Sequence, residues 1–165
     1  MPYFYQVKDI YPKITLCYSY FNQDKALVKH IENWNNWSQS LKDQFSFIIV
    51  DDCSSVPALD TIPHKGFNGL NLSIYRVIDD LYCNISGVRN LAAKKCTTEW
   101  MMILDMDTLV SEELARNIIR LSSLHVEGYA YKFNQRFPDT EVEIPHGAVC
   151  LIRVEDYWNI GGCEE

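Results

Sequence analysis

The sequence predicts an α/β fold with a mostly parallel central sheet flanked by helices, and three observations carry that expectation. Apolar runs short enough for buried strands recur at KITLCYSY (13–20), FSFIIV (45–50) and WMMIL (100–104). Segments with apolar residues near helical spacing separate them, and a β-α-β order with apolar strands implies parallel pairing. Two of the runs end in paired acids, Asp51-Asp52 and Asp105-Met106-Asp107. The carboxyl ends of parallel strands are where open α/β sheets bind ligands.

The elements follow in order. Residues 1–12 form an N-terminal extension closed by Pro12. It carries Tyr3, Phe4 and Tyr5, aromatic rings that could pack on the domain or a partner, and has neither a signal-peptide core nor a spanning segment. Lys13 to Tyr20 is the first strand. Phe21-Asn22-Gln23 makes a turn, and Asp24 caps a helix that presents Leu27, Val28, Ile31, Trp34 and Leu41. Phe45 to Val50 is the second strand, and the two prolines and two glycines of 57–69 predict a loop with at most a short helix. Leu70 to Ile78 alternates as a third strand. A helix over roughly 86–96 turns Val88, Leu91, Ala92 and Ala93 inward. Arg89 stands near its start, although cations are favoured at the other end of a helix.

Trp100 to Leu104 is the fourth strand. Ser111 caps a helix whose first-turn Glu112 and Glu113 meet the positive end of the helix dipole, which makes them structural, and whose apolar stripe is Leu114, Ile118, Leu121 and Leu124. Gly128 to Phe133 is a further strand, followed by a polar excursion through Pro138 and Asp139. Ala148 to Val154 returns as a strand, Glu155 to Asn159 begins a helical turn, and Gly161-Gly162 makes a tight turn that presents Glu164 and Glu165.

With 165 residues, 47% of them hydrophobic, the chain suits one domain with a real core. Its net charge of -7 argues against a nucleic-acid surface, which needs a basic stripe. The six cysteines are scattered without a Cys-x-x-Cys pair, so they read as reduced, small core residues of a cytoplasmic protein, and no zinc site is expected. In an extended backbone Asp105 and Asp107 project to one face, roughly 6.5 to 7 Å apart along the strand. Two such oxygens suit a hard divalent cation with positions open for phosphate; the alternative is a simple turn, where Asp is common.

Together these blocks resemble the GT-A-fold (Rossmann-like) glycosyltransferases, most closely the inverting family 2 group that uses nucleotide-diphosphate sugars. The resemblance rests on ITLCYSYFN, FIIVDDCSS, NISGVRNLAAKKCTTEWMMILDMD and GAVCLIRVEDYWNIGGCEE, in that order. It implies a DXD motif in which Asp107 binds Mn²⁺ or Mg²⁺ directly and Asp105 touches the ribose or the metal shell. Ser19 and Phe21 would line the nucleoside pocket. Asp52, or Asp51 beside it, would hydrogen-bond the base. Arg89, in Gly87-Val88-Arg89-Asn90, would lie near the nucleotide, although the family spaces these residues more widely. His146 and Gly147 fall near the donor-sugar segment, with an exposed loop histidine as the alternative. The base that deprotonates the acceptor hydroxyl would be Glu165 or Glu164.

UDP is the default nucleotide on this resemblance and GDP the next; the acceptor could be glycan, lipid or protein. Members usually continue past the Gly-Gly turn, so ending at Glu165 suggests a fragment, a minimal enzyme, or an acceptor part supplied by a partner. A catalytically weak sugar-nucleotide-binding module is the competing reading. A nucleotidyltransferase ranks last, because no Gly-rich basic loop follows the first strand.

Overall fold

The computed structural model describes residues 13–62, 69–124, 128–136 and 142–164. The N-terminal aromatic residues, the excursion through Pro138 and Asp139, and Glu165 lie outside them.

Strand β1 (Ile14–Tyr20) is buried along almost its whole length, as a central strand covered on both faces must be. It pairs in parallel with β2 (Phe45–Asp52) on one side and β4 (Trp100–Asp105) on the other. Parallel β3 (Leu72–Val77) lies beyond β2, while β6 (Glu143–Arg153) runs antiparallel to β4 and carries β5 (Tyr131–Arg136) antiparallel at its outer edge. The order is β3-β2-β1-β4-β6-β5. The expected α/β sheet is thus present, with four parallel strands extended by an antiparallel pair. That pair is formed from consecutive strands, which need no helical crossover to lie side by side.

Alternation along the strands divides the core into two layers. One face, with Leu16, Tyr18, Phe47, Ile49, Met102 and Leu104, packs on α1 (Asp24–Asn35) and α5 (Glu112–Ser122). Trp34 is fully buried there against Phe47, His30 and Tyr18. The other face, with Cys17, Ile48, Val50, Met101 and Ile103, meets Val88, Ala92 and Ala93 of α4 (Ile85–Lys95), and Tyr157 of α6 (Val154–Asn159). Burying each large side chain contributes on the order of 1.5–3 kcal/mol. On the second face, Thr15 donates to Thr98 Oγ1 at 2.7 Å and Thr98 donates to the Trp100 carbonyl at 2.7 Å, so both buried hydroxyls are satisfied.

Several boundaries differ from expectation. Leu41 belongs to a separate short helix, α2 (Gln39–Lys42), because the chain leaves α1 at Asn36. Among the described residues, the segment after β2 contributes the short helix α3 (Ala58–Thr61), in keeping with the expected loop. Ser111 caps α5 by accepting from the Leu114 N–H at 3.1 Å, as its position predicts. Leu124, however, lies past the helix end and is exposed, and Ala115 and Ile118 take the most buried positions. All six cysteines are free; Cys17 is buried but Cys83 is exposed in the loop after β3. No helix among the described residues is long and apolar enough to cross a membrane.

Candidate functional site

From β1 the chain passes to β2 on one side of the sheet and later returns to β4 on the other, so the strand order reverses at β1. Such a switch point opens a crevice at the carboxyl ends of the strands. A cavity of about 590 Å³ occupies this position, lined by Ser19, Phe21, Asp52, Asp105 and Asp107 among others. The loops after β1, β3 and β4 reach it, together with Asp52 at the end of β2.

The two acids at the end of β2 have separate environments. Asp51 is 1% exposed, and its carboxylate accepts from the Ser54 N–H (2.8 Å), the Ala58 N–H (2.9 Å) and Arg76 Nη1 (2.9 Å). Arg76 also donates to the Ser54 carbonyl at 2.7 Å. Asp51 is therefore bound into the loop that follows β2, and it does not line the cavity. Asp52 does line it, and its Oδ1 is buried with no hydrogen-bond partner among the described residues. Burial raises the Asp52 carboxyl above its usual range, opposed by the Asn84 backbone and reinforced by the charges of Asp80 and Asp51.

Asp105 and Asp107 both face the cavity, but not through a strand pleat. Strand β4 ends at Asp105, and the Thr108 N–H donates to the Asp105 carbonyl at 3.0 Å, closing a turn over Met106 and Asp107. The expected extended geometry is corrected on this point: Met106 is buried in the core and acts as the pivot of the turn. Three long-range hydrogen bonds hold this loop. His30 Nε2 donates to the Met106 carbonyl (2.8 Å), Asn33 Nδ2 to the Val110 carbonyl (2.7 Å), and the Tyr18 hydroxyl to the Thr108 carbonyl (3.4 Å). Sequence reasoning missed these anchors, because their partners are 76 to 90 residues away and are backbone atoms.

Burial lowers the His30 pKa below its ordinary 6.5, against the opposing hydrogen bond to Met106 and the charge of Asp107. The folded state thus keeps the ring neutral. Stability from this residue is complete above the unfolded value and is lost as pH falls through the folded one. Thermal midpoints between about pH 7 and about pH 5 should fall more steeply in the wild type than in His30→Gln. Parallel pH profiles of the two proteins would exclude this contribution.

Arg89, in the first turns of α4, donates through Nη2 to Asp105 Oδ1 at 3.0 Å, while its Nε is buried without a partner among the described residues. Its neighbour Asn90 organises the C-terminal turn. Asn90 Nδ2 donates to the Cys163 carbonyl (2.8 Å), and its Oδ1 accepts from the Tyr157 hydroxyl (2.7 Å) and the Cys163 N–H (3.0 Å). Gly162, at φ 70°, must be glycine, because a Cβ would come within 2.8 Å of Asn90 Oδ1. This arrangement ties the exposed Glu164 to the end of α4 that carries Arg89.

His146 and Gly147 lie apart from the large cavity. His146 lines a second cavity of about 310 Å³, which shares Asp107 with the first; Gly147 is exposed on the strand beside it. The rim of the large cavity is apolar, with Phe21, Leu81 and Tyr82 exposed by 54%, 56% and 100%. Its loops also clamp one another: the Asn22 N–H donates to Ser54 Oγ (2.9 Å), and the Ser55 N–H donates to Asn22 Oδ1 (2.8 Å). Asn22 takes a φ of 50°, which Asn tolerates better than most residues. An Asn in a turn and a Ser pair after an acidic tip were the available signals, but the sequence does not say that the two loops meet.

Among the described residues no group of three or more His, Cys, Asp or Glu could hold a metal ion alone. The site instead offers two carboxylates. Oδ1 of each is engaged, by Arg89 in Asp105 and by Thr108 in Asp107, and no hydrogen bond among the described residues reaches either Oδ2. That donor set fits a Mg²⁺-like or Mn²⁺-like ion, which binds one or two carboxylates and completes its shell with phosphate oxygens and water.

No protein-family model matches the chain, and no curated protein matches it. Solved structures do. The mannosyltransferase PcManGT from Pyrobaculum calidifontis, in complex with GDP-Man and Mn²⁺, aligns with a TM-score of 0.73 at 18% identity, over 92% of this chain and 47% of that one. TarS from S. aureus aligns with a TM-score of 0.55 at 21% identity, over 68% of this chain and 33% of that one, and its complex with UDP-GlcNAc gives the same TM-score. The chain thus spans less than half the length of these proteins. It has the GT-A-like α/β fold of glycosyltransferases.

Proposed function

We propose that the chain binds a nucleotide-diphosphate sugar in the large cavity and transfers the sugar to a hydroxyl acceptor with inversion, using Mn²⁺ or Mg²⁺ at Asp107 and Asp105. One observation carries the reading: both carboxylates of the β4 tip open into a cavity at the sheet's switch point, each with an oxygen that no hydrogen bond among the described residues engages. The neighbours that share the fold include one in complex with GDP-Man and Mn²⁺ and one in complex with UDP-GlcNAc, which supports the same ligand class here.

In this reading Ser19, Phe21 and Asp52 receive the nucleoside. Asp52, whose Oδ1 has no partner among the described residues, accepts from the base; Asp51 is committed to its own loop. Arg89 holds Asp105 and directs positive charge toward the diphosphate. When bound, a divalent cation would neutralise charge on the departing diphosphate as a Lewis acid. The base that removes the acceptor proton is Glu165 or Glu164, carried by the Gly-Gly turn that Asn90 anchors. In this reading the sugar extends past Asp107 toward the second cavity, where His146 and the neighbouring Gly147 would meet it. UDP is the preferred nucleotide. The acidic chain needs no nucleic-acid partner, and its free cysteines suit the cytoplasm.

Calorimetric titration with UDP and GDP, with and without Mn²⁺, tests the proposal. Metal-dependent binding of either nucleotide supports it, and absence of binding to folded protein refutes it. The rim supplies a further prediction. A tyrosine exposed at a cavity mouth stacks on a base, a contact worth about 1–3 kcal/mol. Tyr82→Ala should therefore weaken nucleotide binding by about tenfold while leaving Mn²⁺ affinity unchanged. Equal nucleotide affinities in the two proteins would remove Tyr82 from the site.

A further inference from the structure

An exposed carboxylate samples several rotamers unless a neighbour holds it. Asp107 is exposed, yet a chain of side chains from another strand reaches it. The chain begins where β6 leaves its ladder. Between the pairs Lys132↔Cys150 and Asn134↔Pro145, β5 advances two residues while β6 advances five. The surplus residues of β6 form a bulge from His146 to Val149. Bulges near functional sites re-aim side chains, and this one turns the His146 ring toward the β4 tip.

The ring has two tasks. Its Nδ1 accepts the N–H groups of Ala148 (3.2 Å) and Val149 (3.3 Å), which the bulge removes from regular pairing. A nitrogen that accepts carries no proton, so the proton of the neutral ring sits on Nε2. Nε2 lies 3.2 Å from Thr108 Oγ1, and the Thr108 hydroxyl donates to Asp107 Oδ1 at 3.2 Å. Each group donates to the next, from the bulge to the carboxylate.

We infer that His146 and Thr108 are positioning residues that fix the Asp107 carboxylate by its Oδ1 and leave Oδ2 directed at a divalent cation. This rests on the reading of Asp107 as a cation ligand. Partners that orient a metal-binding side chain typically contribute about 10–100-fold to metal affinity. The inference also gives His146 work that does not depend on its touching the sugar.

The test follows free Mn²⁺ by electron paramagnetic resonance as the full chain is titrated, with and without UDP or GDP. Thr108→Val, which keeps the shape and removes the hydroxyl, should weaken Mn²⁺ binding by about tenfold or more. Thr108→Ser should restore it to within about threefold. His146→Asn can still cap the bulge N–H groups but is too short to reach Thr108. It should show the same loss as Thr108→Val, and the double variant should lose no more than either alone. Circular dichroism establishes that each variant is folded, and His146→Asn serves if Thr108→Val is not. A wild type that binds Mn²⁺ beside folded variants that bind it equally well overturns this inference alone. A wild type that binds no Mn²⁺ under any condition overturns the assignment of Asp107 and the inference with it.

Discussion

Asp107→Ala is expected to abolish the Mn²⁺-dependent part of nucleotide binding, with a loss of at least about 100-fold, since changes to outer-shell partners alone cost about 10–100-fold. The size of the effect follows from the sparse donor set. With no third acidic, histidine or cysteine ligand among the described residues, the proposed cation would be held by the protein through these two carboxylates. Asp105 is already shared with Arg89, so Asp107 supplies most of the uncompensated charge. The fold should survive. Asp107 is exposed and its side chain makes one described hydrogen bond, so the change in stability should stay within about 0.5 kcal/mol. Calorimetry with UDP and GDP, with and without Mn²⁺, reads the first effect, and urea denaturation reads the second. A folded variant that keeps metal-dependent binding would sink the metal assignment.

Asp51→Ala should behave in the opposite way, with a large loss of stability as its primary effect. Its carboxylate is buried and holds three donors: two backbone N–H groups of the loop after β2, and the Arg76 guanidinium. Removing one partner of a buried ion pair costs about 3–5 kcal/mol, because the remaining groups stay desolvated without compensation. Against a total stability of about 5–15 kcal/mol this is a large fraction. The guanidinium of Arg76 is partly exposed, which places the expected loss near the lower bound, about 3 kcal/mol. Asp51→Asn keeps an acceptor oxygen and should lose less. Urea denaturation of the two variants measures the difference. A loss under about 1 kcal/mol for the alanine variant would mean that the loop finds its order elsewhere.

The contrast between these neighbouring acids shows how far the sequence could be read. Strand alternation and charge placed Asp51 and Asp52 at one strand end but could not say which faces the cavity. That depends on Arg76, which arrives from β3 a further 25 residues along. At the β4 tip the sequence located both carboxylates, yet the extended geometry assumed for them was replaced by a turn. Burial of Met106 and the hydrogen bond from His30 favour that turn over a continued strand. Leu124 was expected on the α5 stripe because periodicity carries no information about where a helix stops; the helix ends at Ser122 and leaves it in water.

By itself the sequence determined the strands of the parallel sheet, their order along the chain, the Ser111 cap, and the acids at the tips of β2 and β4. Each of these follows from interactions within a few residues: alternating burial, a cap reaching the third N–H, charge at a strand end. The tertiary structure alone decided which acids open to the cavity, that Arg89 reaches Asp105, that Asn90 anchors the Gly-Gly turn, and that a bulge in β6 connects His146 through Thr108 to Asp107. Apart from the adjacent Thr108 and Asp107, those contacts join residues from 16 to 73 positions apart, and the one between Asn90 and Cys163 ends on backbone atoms that nearly every residue possesses. No local pattern marks such a partner, so it becomes visible only when packing brings the two segments together.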